Sequence, residues 1–176
     1  MPVALTHHFP NQTLDKMKSI TKKNILMLVA GLFIIAQFFR IDKTNPNVEP
    51  AKDFIALTQP PLEVENMLRS ACYDCHSHET SYPWYSNLAP VSWWLKNHVN
   101  EGREHLNFSV WADYNAKKAD HKLEECFEEV AKEGMPLKSY PLTHPEARLS
   151  EEQRAKLVTW FKQTRQQLNY QKEESK

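Results

Sequence analysis

The chain has 176 residues, and its 22 Lys+Arg are balanced by 22 Asp+Glu. That length suits one domain with accessory segments, and the balanced charge provides no basic field for holding nucleic acid. With 3 cysteines, an odd number, a disulfide scaffold is disfavoured, whereas 5 tryptophans offer large flat apolar surfaces.

Residues Met1 to Lys16 carry few structure-forming signals, and Met17-Lys18-Ser19 offers an alternative start. Lys16, Lys18, Lys22 and Lys23 then precede an uncharged, almost wholly apolar run from Ile25 to Phe39. A basic flank followed by an apolar run is either a secretory signal or a signal anchor. The run is short of the ~20 residues that span a bilayer, but Lys23 and Arg40 extend it by snorkelling. Bulky Phe38, Phe39, Arg40 and Ile41 stand where a small-x-small cleavage site would be, so an uncleaved anchor is expected. A buried core helix is the plainer alternative, but the run lacks a polar face. The expected organisation is a cytoplasmic segment at 1–23, one transmembrane helix at 24–41, a linker at 42–59, a domain at 60–170 and a charged tail at 171–176. The lysines face the cytoplasm, and everything after Arg40 lies on the far side. Asn45-Pro46 and Glu49-Pro50 make the linker a polar spacer.

Pro60-Pro61 opens a helix expected over Leu62 to Ala71, with Glu63 and Glu65 at its positive end and Arg69 near its negative end. Val64, Met67, Leu68 and Ala71 recur at spacings of three and four. This helix delivers Cys72-Tyr73-Asp74-Cys75-His76. Two cysteines two residues apart with a histidine directly after form the pattern of c-type haem attachment. Both thiols reach the vinyl groups on one porphyrin edge, and His76 offers an imidazole nitrogen to the iron. Three other readings compete. A thioredoxin-like pair expects a βαβ setting that is not visible. A zinc site using Cys72, Cys75, His76 and His78 crowds four ligands into seven residues. A plain disulfide would close a very tight loop.

After an aromatic loop at Tyr82 to Asn87, a helix begins near Pro90. Val91, Trp94, Leu95, His98, Val99 and Gly102 fall on one continuous apolar face, so His98 is expected to point inward. An inward histidine is usually a hydrogen-bonded core residue, but near a metal His98 is a candidate ligand; His105 follows on the same side. Arg103 either pairs with a haem propionate or faces solvent, the second being the plainer reading. A third helix turns Leu123, Cys126, Phe127, Val130 and Ala131 inward and Glu124, Glu125, Glu128 and Glu129 mostly outward. Cys126 reads as a small buried hydrophobe. Gly134 marks the helix stop, and Met135-Pro136 holds a thioether in an extended loop. With His76 on one side of the iron, Met135 is the leading candidate for the other side, because Met/His ligation is the usual electron-transfer arrangement. His98 is the alternative, and an open position comes after it. Ser150 and Gln153 form a capping box for the last helix, whose stripe is Leu157, Val158, Phe161 and Leu168. Paired carboxylates, a nucleophile with its base and a Gly-rich phosphate loop are all missing, so hydrolase or nucleotide chemistry is not indicated.

The strings Cys72-Tyr-Asp-Cys-His-Ser, Tyr82-Pro-Trp-Tyr, Ala89-Pro-Val-Ser-Trp-Trp, His98-Val-Asn-Glu-Gly-Arg, Leu106-Asn-Phe-Ser-Val-Trp, Met135-Pro-Leu and Ala147-Arg-Leu-Ser resemble the bacterial haem-binding domain family, over about Gln37 to Phe161. This family is a cytochrome c-like group of small anchored proteins. The resemblance implies one covalent haem c, held by Cys72, Cys75 and His76 on an extracytoplasmic domain, and brings no defined reaction with it. The expected fold is all-α, a small cytochrome c-like helical domain around a covalent haem, preceded by one transmembrane helix. The expected protein is a single-pass inner-membrane electron carrier with its haem domain in the periplasm and unidentified redox partner proteins. A haem-based sensor or peroxidase-like protein with an open sixth position is the second hypothesis, and a zinc-stabilised interaction module the third.

Overall fold

The computed structural model describes residues 21–174, with side chains up to Leu168. The alternative start at Met17, most of the expected segment 1–23 and the last two residues of the tail lie outside the described residues. The chain divides between Phe39 and Arg40 into two compact units.

The first unit carries α1 (Lys22–Ala36), capped by Thr21, whose hydroxyl accepts from the Asn24 N–H. It is apolar all round, with Leu26, Phe33 and Ile34 among its exposed side chains. Gln37 ends it by folding its amide back onto the Phe33 carbonyl at 2.8 Å. The expected membrane-spanning helix over 24–41 is therefore corrected to a 15-residue helix, about 22 Å long at 1.5 Å per residue. Among the described residues no helix is long and apolar enough to cross a membrane.

Among its described residues, the regular elements of the second unit are all helices. A short helix α2 (Phe54–Thr58) starts where the Asp53 carboxylate accepts from the Ile55 N–H at 2.9 Å. Phe54 is wholly buried and sits 4.9 Å from Phe108 and 4.5 Å from Trp111, ring to ring. The stretch 42–59 is thus not a free spacer: its aromatic residue lies at the centre of the core, and Asn45 and Asn47 bond the loop after the cysteine motif. The sequence signal of polar residues and prolines was real, but it marks a segment laid across the domain.

Helix α3 (Leu62–Leu68) does not stop at Ala71. It passes through one π-helical turn (Arg69–Tyr73) into α4 (Asp74–His76), because no helix breaker intervenes. Such turns interrupt a helix's regular phase and recur at functional sites. α5 spans Val91–His105, and α6, Ala116–Ala131, is capped by Asn115. α7 (Glu151–Glu174) begins with the expected capping box: the Ser150 N–H donates to Gln153 Oε1 at 2.9 Å, and the Gln153 N–H to Ser150 Oγ at 3.1 Å. Leu68, Leu123, Leu157 and Phe161 close the core, and Cys126 is buried within it as expected. Phe127 and Ala131 are less buried than their stripe suggested, Ala131 being exposed. α7 is tied to α6 by Arg165 on Asp120 and Glu124, and to α3 by Lys156 on Glu63.

The stop of α6 also differs from expectation. The left-handed residue is Glu133 (φ 59°), not Gly134, and the Gly134 N–H then reaches back to the Glu129 carbonyl at 2.8 Å. This is a Schellman-type closure in which the glycine takes the position after the left-handed residue.

Candidate functional site

The two variable residues of the cysteine motif anchor it in opposite directions. Tyr73 points into the core, stacked 5.2 Å from Phe108 and nearly parallel to it. Its hydroxyl donates to the buried Asp53 carboxylate at 3.1 Å. Asp74 points outward: its carboxylate accepts from the Ser81 N–H at 2.8 Å and from the Tyr140 hydroxyl at 2.5 Å. One motif residue is thus fixed to the linker and aromatic core, and the other to the loop after α6.

His76 is oriented by the end of α5. Its Nδ1 lies 2.9 Å from the Gly102 carbonyl and 3.1 Å from the Leu106 carbonyl. Both are acceptors, so Nδ1 carries the proton and the Nε2 lone pair is left for a metal. The Gly102 carbonyl also accepts the Leu106 N–H, whereas Leu106 is the C-cap, at the negative end of α5, and both bonds to Nδ1–H strengthen the imidazole as a ligand. Burial holds the His76 pKa below its usual value, while the two carbonyls act in the opposite direction. α5 comes this close only because residue 102 is glycine: a Cβ there would meet the Cys75 carbonyl oxygen at 2.6 Å.

Cys72 and Cys75 are half-buried and unpaired. Desolvation raises Cys75 to about 11 and Cys72 to about 12. Both ring nitrogens of His78 are engaged, Nδ1 on the Asn47 carbonyl and Nε2 on the Asn107 amide. Among the described residues no group of three His, Cys, Asp or Glu side chains could hold a metal. The zinc reading therefore lacks a set of free donors among the described residues, and the thioredoxin-like reading lacks its βαβ setting, since no strand occurs among them. Two neutral thiols on one helical stretch, beside an imidazole with a committed Nδ1, fit a haem.

The remaining predicted residues are distributed unevenly. Met135 is half-buried just past α6, its N–H on the Glu129 carbonyl and its carbonyl accepting from Arg154 at 3.0 Å. The loop it begins returns to the motif through Tyr140. His98 does not point into the core: Ser92, Leu95 and Val99 take the buried face of α5. His98 lies beside the half-exposed Trp94, ring centroids 4.2 Å apart, with Nδ1 donating to the Trp94 carbonyl. The expected apolar face is split, with Val91 and Trp94 on the open side. Arg103 does not face solvent. Its Nε donates to the Ser77 carbonyl and its Nη2 to Asn45 and Thr80, at 2.7–2.8 Å, which ties these two nitrogens to the segments flanking the motif. His105 is exposed.

Sequence reasoning missed a second cluster beside the motif. His144 Nε2 accepts from the Tyr85 hydroxyl at 2.8 Å, Nδ1 faces Glu146 at 3.1 Å, and the ring stacks on Tyr140 at 4.3 Å. With Asp74, Cys75, Leu95 and Val99, the residues Tyr85, Tyr140 and His144 line a cavity of about 10 Å3, roughly one water in size. Its signal was faint, since Tyr85, Tyr140 and His144 lie in loops without periodicity.

An all-helical domain that presents this donor set is a haem-binding domain. Comparison with known families agrees. The model described as "Haem-binding domain" matches residues 31–163, most of the chain, and the chain belongs to that family. No curated protein and no solved structure matches the chain.

Proposed function

We propose that the chain binds one haem c covalently and carries single electrons on the extracytoplasmic side of a membrane. The observation that carries this reading is the His76 imidazole, held at Nδ1 by two carbonyls beside two unpaired thiols on the same helical stretch. Cys72 and Cys75 would form the two thioether links, and His76 Nε2 would hold the iron. Met135 would supply the second iron ligand, supported by its place on the loop that returns to the motif through Tyr140 and Asp74; His98 is the alternative. The bound group supplies the one-electron chemistry. The chain supplies ligands, burial and orientation: α5 fixes the imidazole tautomer, and Tyr73 and Asp74 hold the motif rigid between core and loop.

Membrane anchoring is part of the proposal. The uncharged run from Ile25 to Phe39 follows Lys22 and Lys23, and a helix apolar all round belongs in an apolar medium. The apolar run continues past α1 to Ile41 and, with snorkelling basic ends, comes close to the length a bilayer needs.

The test is the visible spectrum of the haem-loaded protein. A sulfur-to-iron charge-transfer band in the oxidised form, lost in Met135→Ala and kept in His98→Ala, supports the assignment. Carbon monoxide binding without ligand displacement overturns it in favour of an open, sensor-like or peroxidase-like site.

A further inference from the structure

The Tyr85, Tyr140, His144 and Glu146 cluster is not used by ligation or attachment, yet its Tyr85, Tyr140 and His144 share a cavity with Cys75. His144 is mostly enclosed, with 13% of its side chain exposed, whereas its partner Glu146 is 58% exposed. The ring therefore bridges the motif side of the domain and bulk water. Two of the groups facing it, Glu146 and Tyr140, favour a cation. Glu146 lies at Nδ1, and its carboxylate is held below its usual range by its own backbone N–H and by His144. Tyr140 offers a π face, and its hydroxyl is committed to the Asp74 carboxylate. Burial and Asp74 push the Tyr140 hydroxyl well above its usual value, so it stays neutral.

The remaining neighbour is Tyr85, which donates to Nε2 while the imidazole is neutral. Its oxygen also lies 3.3 Å from Thr143 Oγ1, and Thr143 donates its own proton to the Tyr140 carbonyl. Thr143 thus has a lone pair to spare. When Nε2 gains a proton, the Tyr85 hydroxyl turns to Thr143 and its oxygen accepts from Nε2. Both states of the ring are fully hydrogen-bonded, so proton uptake leaves no buried group unsatisfied.

We propose that His144 is the proton-binding site coupled to haem reduction, so that this domain moves a proton with its electron. The inference rests on the electron-carrier reading above. One electron from a one-electron donor protein adds negative charge beside Cys75, and one proton from water binds His144 Nε2; apart from the new N–H bond, no covalent bond forms or breaks. Reduction favours the cation, so the midpoint potential falls as pH rises.

The experiment is a spectroelectrochemical titration of the full-length, haem-loaded protein between about pH 5 and 8. The expected midpoint falls with pH by up to ~59 mV per unit, the tenfold equivalent for one electron. In His144→Gln, whose amide still accepts from Tyr85, this slope is lost. Thr143→Val removes the alternative acceptor, disfavours the protonated ring and moves the sloping region to lower pH. An unchanged slope in His144→Gln, or a wild-type midpoint independent of pH, overturns the inference while leaving the electron carrier intact. A protein with no one-electron wave at all overturns the electron-carrier reading itself.

Discussion

Gly102 and Cys75 meet backbone to backbone: a Cβ on Gly102 would sit 2.6 Å from the Cys75 carbonyl oxygen and 3.2 Å from the Cys75 Cβ. The glycine lets the end of α5 approach the motif until the Gly102 carbonyl accepts from His76. One residue therefore sets both helix spacing and imidazole orientation. Gly102→Ala gains helix propensity but overpacks a contact made of backbone, which cannot rotate away. The expected loss is ~1–3 kcal/mol, read by chemical denaturation, together with weaker haem incorporation.

Tyr73 and Asp53 form the second anchor. Tyr73→Phe keeps the stack on Phe108 and removes the hydroxyl that donates to the buried carboxylate. Asp53 retains its bonds from the Ile55 and Ala56 N–H groups, so the cost is about 1–3 kcal/mol and not a collapse. Equilibrium denaturation of the two proteins checks it.

Stability of the haem-free chain depends on pH through His76. Burial lowers its pKa in the folded state, so below the unfolded value of about 6.5 the unfolded chain binds the extra proton. Stability at His76 is full above that value, falls as pH drops towards the lower folded value, and levels off beneath it. Denaturation midpoints at pH 7.5 and pH 5 should differ in that direction, and His76→Gln should reduce the difference.

The motif thiols are predicted to be sluggish in the folded, haem-free chain. Raising Cys75 from 9.0 to about 11 lowers its thiolate fraction roughly 100-fold near neutral pH. Alkylation at pH 8 should be slow for both and accelerate in denaturant by about that factor for Cys75 and by more for Cys72, which burial pushes up to about 12. Attachment chemistry would then belong to the unfolded or opened chain.

Much of this site is legible in the sequence because it depends on short spacing. Cys72, Cys75 and His76 are contiguous, the Ser150 capping box spans four residues, and Cys126 lies on a clear helical stripe. What escapes is set by long-range partners. Asp74 and Tyr140 are 66 residues apart, and nothing in a loop tyrosine announces a carboxylate beyond a whole helix. Phe54 looked like part of a polar spacer because a single aromatic gives no periodicity, yet it lies at the centre of the core. The apolar stripe of α5 was read correctly as apolar, but periodicity gives the face and not its cover. Only its Leu95 and Val99 side is packed, and Trp94 and His98 lie on the other.

The most direct measurement is the intact mass of the protein purified from cells able to mature c-type cytochromes. The account predicts a polypeptide heavier by one haem that survives denaturation, and loss of that increment when Cys72 and Cys75 are both changed to alanine. A bare polypeptide mass, with any haem released on unfolding, would contradict covalent attachment at this motif.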